Sequence, residues 1–175
     1  MKKIVVIGPE STGKSTLSEQ LARYYKTSWV PEYARDYLLQ HGTDYTYDDL
    51  LIIAKGQLAL EESYIEKAKD AKLLFIDTDQ YVMKVWCEFV FGKCHPWILD
   101  QITKRKYDLY LLCNIDLPWI KDALREYPDL EPRKQLYSIY KTILTNQSVP
   151  WVDISGNYDE RLQKAIQTVN DLFLK

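Results

Sequence analysis

One stretch of the chain combines the residue types and spacing that bind phosphate groups. Residues 8–15 read GPESTGKS and fill every fixed position of the P-loop pattern G-x-x-x-x-G-K-[ST]. In such a loop the backbone N–H groups turn inward around anionic oxygens, and the next helix adds a positive partial charge. Lys14 is expected to reach the β- and γ-phosphates of ATP, and the Ser15 hydroxyl to hold Mg²⁺. The residues predicted to bind the nucleotide here are Gly8, Glu10, Ser11, Thr12, Gly13, Lys14, Ser15 and Thr16.

Two acidic residues follow another apolar segment. Residues 73–76 (LLFI) have the pattern of a buried parallel strand and lead directly into Asp77-Thr78-Asp79. P-loop proteins place an acid at such a strand end to hold Mg²⁺, directly or through water. We therefore predict that Asp77 joins Ser15 at the metal. Asp79 either shares a metal or catalytic role or only caps the next helix, and the sequence leaves both interpretations open.

A third charged group follows the apolar segment 27–31. Residues 32–36 (EYARD) lie at the carboxyl end of a predicted strand, where α/β folds expose their sites. A carboxylate there could accept the proton of a substrate hydroxyl as it attacks the γ-phosphate. Glu32 is therefore the first choice of general base, and Asp79 the second. The alternative is a surface ion pair of Glu32 with Arg35 at a helix start, worth under ~1 kcal/mol.

Glu61 interrupts an apolar stripe on the long helix predicted over about residues 48–69. An acid on a stripe that faces the core is costly unless it is paired. Glu61 is therefore predicted to be neutralised by Arg35 or another base, or to look into a polar pocket. A stripe that simply ends at this point is an equally good explanation.

The segment from Asn114 to Pro132 is polar, is broken by prolines and carries both charge signs. It is too long for a simple turn and predicts a mobile lid at about residues 114–135. Arginines on a closing lid supply positive charge over the γ-phosphate at the transition state. Arg125 and Arg133 are the candidates for this role.

The elements that must position these residues alternate between strand and helix patterns. The predicted strands cover 3–7, 27–31, 73–76, 107–113 and 151–154. The predicted helices cover 14–25, 33–41, 48–69, 82–91, 96–104, about 136–143, and the C-terminal region from residue 157. The last helix begins with a capping box formed by Asn157 and Glu160. Such alternation implies right-handed βαβ units and a parallel sheet covered on both faces, in one domain over residues 1–175. The backbone of Gly156, after the last strand, is predicted to contact the adenine base.

The composition excludes several other classes of protein. A net charge of −2 without a basic block gives no indication of a nucleic-acid partner. Three cysteines without a C-x-x-C pair make disulfides and a zinc site unexpected. No apolar run is long enough for a signal peptide or a membrane span. We therefore expect a cytoplasmic protein of 175 residues without a membrane partner, and its oligomeric state is left open.

Several of these stretches together resemble the ribosylnicotinamide kinase domain of the NadR family. They are GPESTGKSTL, VPEYARDYL, GQ followed by an acid (Gly56, Gln57, Glu61), LLFIDTD, YDLYLLC, PWIKDALR with a downstream Arg133, and ISGNYDER. The P-loop is generic to many kinases, whereas EYAR, IDTD and PW-x-x-D-x-x-R together are fairly specific. The resemblance covers nearly the full length of the chain.

The resemblance implies a three-layer α/β/α P-loop kinase fold with a five-stranded parallel sheet and a helical lid. It also implies ATP- and Mg²⁺-dependent phosphorylation of the 5′-hydroxyl of nicotinamide riboside to the mononucleotide, a step of NAD salvage. The flat, cationic pyridinium ring of that substrate favours aromatic faces and carboxylates. The residues that are then expected to bind it are Glu32, Tyr33, Arg35, Asp36, Glu61, Asp79, Trp119 and Asp122.

Full-length NadR proteins also carry a nucleotidyltransferase domain and, in some, a helix-turn-helix repressor domain. This chain begins at the kinase strand, and His41-Gly42 lacks the H-x-G-H pattern, so adenylylation and DNA binding are not expected. Two alternatives stay open: another nucleoside or nucleotide kinase of the same fold, and a nucleotide-sensing regulatory ATPase that phosphorylates nothing. A GTPase is disfavoured because residues 114–116 read NID and not the N-K-x-D signature.

Overall fold

The computed structural model describes residues 1–174, in which strands and helices alternate along the chain. The strands are β1 (Lys2–Ile7), β2 (Trp29–Val30), β3 (Leu73–Asp77), β4 (Leu109–Cys113) and β5 (Trp151–Ile154). The helices are α1 (Lys14–Tyr25), α2 (Tyr33–His41), α3 (Tyr47–Lys67), α4 (Gln80–Phe91), α5 (Pro96–Lys104), α6 (Leu130–Thr145) and α7 (Tyr158–Phe173). Among these helices, none has the length and apolar character needed to cross a membrane.

The strands form one parallel sheet in the order β2-β3-β1-β4-β5. The central strand β1 lies between β3 and β4, with Val6 paired to Asp77 on one side and to Leu111 on the other. The order of the strands reverses at β1, and ligands of open α/β sheets bind at such a switch point. The loop after β1 therefore emerges beside the end of β3.

The sheet is covered by helices on both faces, as the sequence predicted. Ile4 and Val6 pack with side chains of α1 and α7, whereas Val5 and Ile7 pack on the opposite face with side chains of α4 and α6. This alternation follows from the two-residue period of a strand. A further apolar cluster is formed by side chains of α2, α3, α4 and α5, which pack against one another. The predicted three-layer fold with a five-stranded parallel sheet is confirmed.

Most predicted boundaries agree with the structure, and two differ for a clear reason. The strand β2 is only two residues long because the N–H of Thr27 donates to the carbonyl of Ala22 and Pro31 has no N–H to donate. The helix α6 begins earlier than predicted, at Leu130, since Pro132 falls in its first turn, where a missing N–H is tolerated. The predicted lid consists of turns and irregular backbone over residues 114–129, followed by the start of α6.

Candidate active site

The loop between β1 and α1 has the backbone form that a phosphate site needs. Gly8, Ser11 and Gly13 have positive φ angles of 145°, 56° and 78°. A Cβ on Gly8 would stand 2.7 Å from the carbonyl oxygen of Cys113, so a side chain there would push the loop away from the end of β4. Gly13 is the N-cap of α1 and has no side chain that could bond the first-turn N–H groups. Those N–H groups are therefore available to an anion.

Lys14 and Ser15 begin α1 at the floor of this loop. The ammonium of Lys14 donates to the carbonyl oxygen of Pro9 at 3.1 Å, and the Ser15 hydroxyl donates to the carboxylate of Asp77 at 2.5 Å. Burial and the nearby Glu32 carboxylate raise the pKa of Asp77 to about 7, while Lys14 and Ser15 act in the opposite direction. A hydroxyl beside a carboxylate is the kind of oxygen pair that Mg²⁺ accepts. The residues present therefore fit the predicted metal.

A cleft of about 350 Å³ extends from this loop along the carboxyl end of the sheet. The P-loop lines one end, and side chains of α2, α4, α6 and the segment 114–129 line the other. The predicted site residues that line it are Gly8, Glu10, Ser11, Thr12, Gly13, Lys14, Ser15, Thr16, Glu32, Arg35, Asp36 and Arg125. One cavity thus contains both the phosphate loop and the acidic segment after β2.

Glu32 lines this cleft, and its carboxylate has no hydrogen-bond or ion-pair partner among residues 1–174. It is the N-cap of α2, yet its side chain makes no capping hydrogen bond. Gln57 of α3 caps the helix instead: its Oε1 accepts from the N–H of Tyr33 at 2.7 Å, and its Nε2 donates to the carbonyl of Asp77 at 3.4 Å. The preceding Gly56 permits this approach, because a Cβ there would lie 2.1 Å from the Tyr33 ring. The Gly56-Gln57 pair therefore fixes the strand ends and leaves Glu32 to the cleft.

Arg35 connects α2 to the predicted lid. Its guanidinium donates to the carboxylate of Asp122 at 3.0 Å, and the side chain of Arg35 is 52% exposed. The N–H of Leu124 and the Arg35 guanidinium both lower the pKa of Asp122. An exposed pair of this kind contributes about 0–1 kcal/mol. Asp122 therefore helps to place the segment 114–129 against α2 but does not itself line the cleft.

The two predicted lid arginines have different surroundings. Arg125 lines the cleft, and its Nη1 donates to the carbonyl of Ile120 at 2.5 Å. Arg133, on α6, is only 4% exposed, and its Nη2 faces the carbonyls of Ser11 and Leu117 at 3.4 and 3.5 Å. The Nε of Arg133 has no hydrogen-bond partner within residues 1–174. Arg133 therefore contacts the P-loop through the carbonyl of Ser11, and its Nε remains available as a donor.

Glu61 does not line the cleft, and its predicted contact with the substrate stays a prediction. The carboxylate is 2% exposed, with the Lys3 ammonium at 3.4 Å and the Arg105 guanidinium at 3.9 Å. The hydroxyl of Tyr107 donates to it at 2.8 Å. Arg35, one of its predicted partners, is engaged elsewhere. Of the interpretations left open by the sequence, pairing with another base is the correct one.

Tyr33 and Trp119 also differ from their predicted positions. The Tyr33 ring packs against Gly56, and the indole Nε1 of Trp119 donates to the carboxylate of Glu10 at 3.3 Å. Neither side chain lines the cleft. In this structure both residues contact neighbouring segments, and their predicted contacts with the substrate stay predictions.

Arg161 is a residue of the site that sequence reasoning missed. It lies on α7 with its side chain 3% exposed, and its guanidinium donates to the carbonyls of Thr12 at 2.8 Å, Asn114 at 3.0 Å and Gly156 at 2.7 Å. It also pairs with Asp116, which accepts the N–H of Gly156 at 2.6 Å. Arg161 therefore ties the P-loop to the loop predicted to meet adenine. A charged residue on the buried stripe of α7 was the signal that could have identified it.

The far end of the cleft has an aromatic wall that the sequence did not assign. Tyr45, Trp86, Phe89 and Tyr127 all line this end. The indole Nε1 of Trp86 donates to the hydroxyl of Tyr45 at 2.9 Å, and that hydroxyl donates to the carboxylate of Glu126 at 2.9 Å. These residues come from three separate segments, so only their packing shows that they share a site.

Asp79 caps the N-terminus of α4, which is one of the two roles that the sequence left open for it. Its carboxylate accepts from the N–H groups of Tyr81 and Val82 at 3.0 and 3.4 Å and from the hydroxyl of Tyr110 at 2.8 Å. It is 2% exposed, and burial raises its pKa to about 7. It does not line the cleft. The contacts favour the capping interpretation, and the roles of Asp79 as second-choice base and substrate contact stay predictions.

We expect Asp79→Asn to keep turnover within about threefold of the unchanged protein, since asparagine caps a helix as well as aspartate does. Asp79→Ala removes the cap and leaves the buried Tyr110 hydroxyl without its acceptor, which costs ~1–3 kcal/mol. The measurements are kcat and the midpoint of thermal unfolding for both variants. A loss of turnover beyond a hundredfold in a stably folded Asp79→Asn protein would instead support the catalytic interpretation.

Known proteins are similar in sequence to this chain. A family model described as an AAA domain matches residues 3–161. The chain is 29% identical over 177 aligned positions to the trifunctional NAD biosynthesis/regulator protein NadR of Escherichia coli (strain K12), and equally to the protein of that name from Salmonella typhimurium (strain LT2). Each alignment covers 98% of this chain and 43% of the relative, so the chain spans less than half the length of these relatives.

Known structures share its fold. The structure of a NadR protein in complex with NR superposes with a TM-score of 0.85 at 25% identity, over 99% of this chain and 50% of that one. A NadR protein in complex with NAD and AMP-PNP gives a TM-score of 0.76 at 22% identity, again over 99% and 50%. Thymidylate kinase from Ehrlichia chaffeensis gives 0.70 at 14% identity, over 96% and 98%. The last two similarities concern the fold alone.

Proposed function

This chain belongs to the AAA domain family, and we propose that it is an ATP- and Mg²⁺-dependent kinase that phosphorylates the 5′-hydroxyl of nicotinamide riboside to give nicotinamide mononucleotide. The observation that carries the proposal is that one cleft contains the P-loop, the carboxylate of Glu32, which is unpaired among residues 1–174, and an aromatic, acid-lined compartment. The similarity to NadR proteins, one of which is known in complex with NR, supports the same substrate.

The P-loop would bind ATP, which is the phosphoryl donor. Its backbone N–H groups and Lys14 would bind the phosphates of ATP. Ser15 and Asp77 would hold Mg²⁺, which when bound neutralises charge on the β- and γ-phosphate oxygens. Donors that are oriented before the reaction need no reorganisation at the moment of transfer.

The acceptor half would lie between α2, α4 and the segment 114–129. The carboxylates of Asp36 and Glu126 and the rings of Trp86 and Tyr127 line this compartment. Carboxylates and aromatic faces both favour a flat cation such as a pyridinium ring. With the ring there, the ribose hydroxyl would point toward the P-loop, where Glu32 would accept its proton.

The lid would close the two halves together. We propose that the chain is one kinase domain over residues 1–175 with its lid at about 114–135. Arg125 already lines the cleft and would contact the transferring phosphoryl group. Arg133 would contribute its unused Nε donor to the same charge. The backbone of Gly156 would lie beside adenine, held by Arg161.

The proposal is tested by offering the purified protein ATP, Mg²⁺ and one of five acceptors: nicotinamide riboside, nicotinate riboside, thymidine, adenosine or cytidine. Release of ADP and the mass of the product are measured together. We expect nicotinamide riboside to be phosphorylated with the highest kcat/KM.

Each other outcome of this panel points to a defined alternative. Preference for a neutral nucleoside would disprove the pyridinium assignment and retain a kinase of the same fold. If no acceptor is phosphorylated above basal ATP hydrolysis, the kinase assignment fails and a nucleotide-sensing ATPase becomes the better explanation.

A further inference from the structure

Glu10 belongs to the P-loop by sequence, but its carboxylate bonds to the segment 114–129. One oxygen accepts from the indole of Trp119 at 3.3 Å and from the N–H of Tyr127 at 2.5 Å. The other accepts from the N–H of Glu126 at 2.9 Å. Hydrogen bonds to a charged acceptor are about twice as strong as neutral ones. A side chain of the P-loop therefore accepts hydrogen bonds from backbone N–H groups of a segment more than a hundred residues further along the chain.

The neighbouring residue Ser11 adds to this attachment. Its hydroxyl accepts from the N–H of Ile120 at 3.0 Å, and its carbonyl accepts from Arg133 at 3.4 Å. The P-loop thus has two distinct sides. Its backbone N–H groups are available to the phosphate site, and the side chains of Glu10 and Ser11 hold the segment 114–129.

The residues held by Glu10 form part of the acceptor compartment. The carboxylate of Glu126 accepts from Tyr45, whose hydroxyl accepts from Trp86. The ring of Tyr127 packs edge-on against Phe89 with centroids 5.4 Å apart. All five side chains line the cleft. A continuous set of contacts therefore runs from the P-loop to the far wall of the acceptor compartment.

We propose that Glu10 is a positioning residue for the acceptor: it docks the segment 114–129 onto the P-loop and so holds Glu126 and Tyr127 in the acceptor wall. Its removal should weaken acceptor binding while ATP binding, which uses the backbone N–H groups of the loop and Lys14, is retained. The part of this inference that concerns the acceptor rests on the proposed kinase function, whereas the docking of the segment does not.

Docking is tested by limited trypsin digestion of the full chain without ligands. The segment 114–129 contains two tryptic sites, Lys121 and Arg125. Loss of charge-assisted hydrogen bonds should expose them, so we expect cleavage there to be about tenfold faster in Glu10→Ala. Glu19→Ala is the matched control, since Glu19 is exposed on α1 and pairs with Arg23. Unchanged cleavage in Glu10→Ala would overturn the proposal.

The effect on the acceptor is tested with Glu10→Gln, which keeps the size of the side chain and removes its charge. We expect KM for the acceptor to rise about tenfold, with the dissociation constant of a fluorescent ATP analogue changed less than twofold. Weakened ATP binding with an unchanged acceptor KM would assign Glu10 to the donor site and overturn the proposal. If the unchanged protein phosphorylates no acceptor, the proposed function fails, and trypsin digestion still decides the docking role.

Discussion

Lys14→Ala is expected to lower turnover by ~10²–10³-fold, the usual cost of removing one preorganised donor to a developing negative charge. The Lys14 ammonium stands at the start of α1 and already points to the loop carbonyl of Pro9 at 3.1 Å. No other lysine lines the cleft among residues 1–174, and the two arginines that line it, Arg35 and Arg125, are bonded to Asp122 and to the carbonyl of Ile120. The measurement is kcat for phosphoryl transfer at saturating ATP and acceptor.

The fold should survive this substitution. Lys14 makes one hydrogen bond to a carbonyl, which is worth ~0.5–1.5 kcal/mol. Circular dichroism should therefore be unchanged, and the thermal midpoint should fall by no more than a few degrees. Lys164→Ala, on the exposed face of α7, is the control and should leave turnover unaffected. Turnover retained in Lys14→Ala would contradict the role of the P-loop in catalysis.

Local patterns in the sequence were sufficient for the fold. The glycine-rich loop, the apolar run before Asp77 and the capping box of Asn157 with Glu160 each depend on residues close together in the chain, and each is present in the structure. The contact of Ser15 with Asp77 follows from the same information, because adjacent parallel strands end at one edge of the sheet.

The direction in which a helical side chain faces was harder to predict. Both Glu61 and Arg161 lie on buried stripes of helices, and periodicity identifies them only as charges that need partners. Glu61 turns toward Lys3 at the opposite end of β1, whereas Arg161 lies beneath the P-loop. The choice between a structural and a site role depends on how each helix is rotated on the sheet, which the sequence pattern does not specify.

Contacts between distant segments were the least predictable part of the site. Gln57 replaces Glu32 as the cap of α2 only because Gly56 allows α3 to approach Tyr33. The aromatic wall and the bond from Glu10 to Glu126 likewise require segments far apart in the chain to meet. No periodicity marks such residues, since each one looks like an ordinary surface or core position within its own element.

Glu32→Gln is expected to lower kcat by ~10²-fold, near the lower end of the range for a general base. The expected loss of kcat is small for a general base because phosphoryl transfer passes through a loose transition state, in which the attacking hydroxyl needs little activation. The substitution should not disturb α2, because Gln57 and not Glu32 caps that helix. The KM values for ATP and acceptor should therefore stay within about threefold of the unchanged protein.

Three measurements separate a base from a binding residue at this position. A base predicts a fall in kcat with nearly constant KM, partial recovery of kcat in Glu32→Asp, and unchanged affinity for an ATP analogue. Glu66→Gln, exposed on α3, serves as the matched control. A large rise in the acceptor KM with constant kcat would instead make Glu32 a contact for the ribose or the cationic ring. Since Asp77 is committed to Ser15 and Asp79 to the cap of α4, such a result would mean that the hydroxyl attacks without a carboxylate base from the ends of β2 and β3.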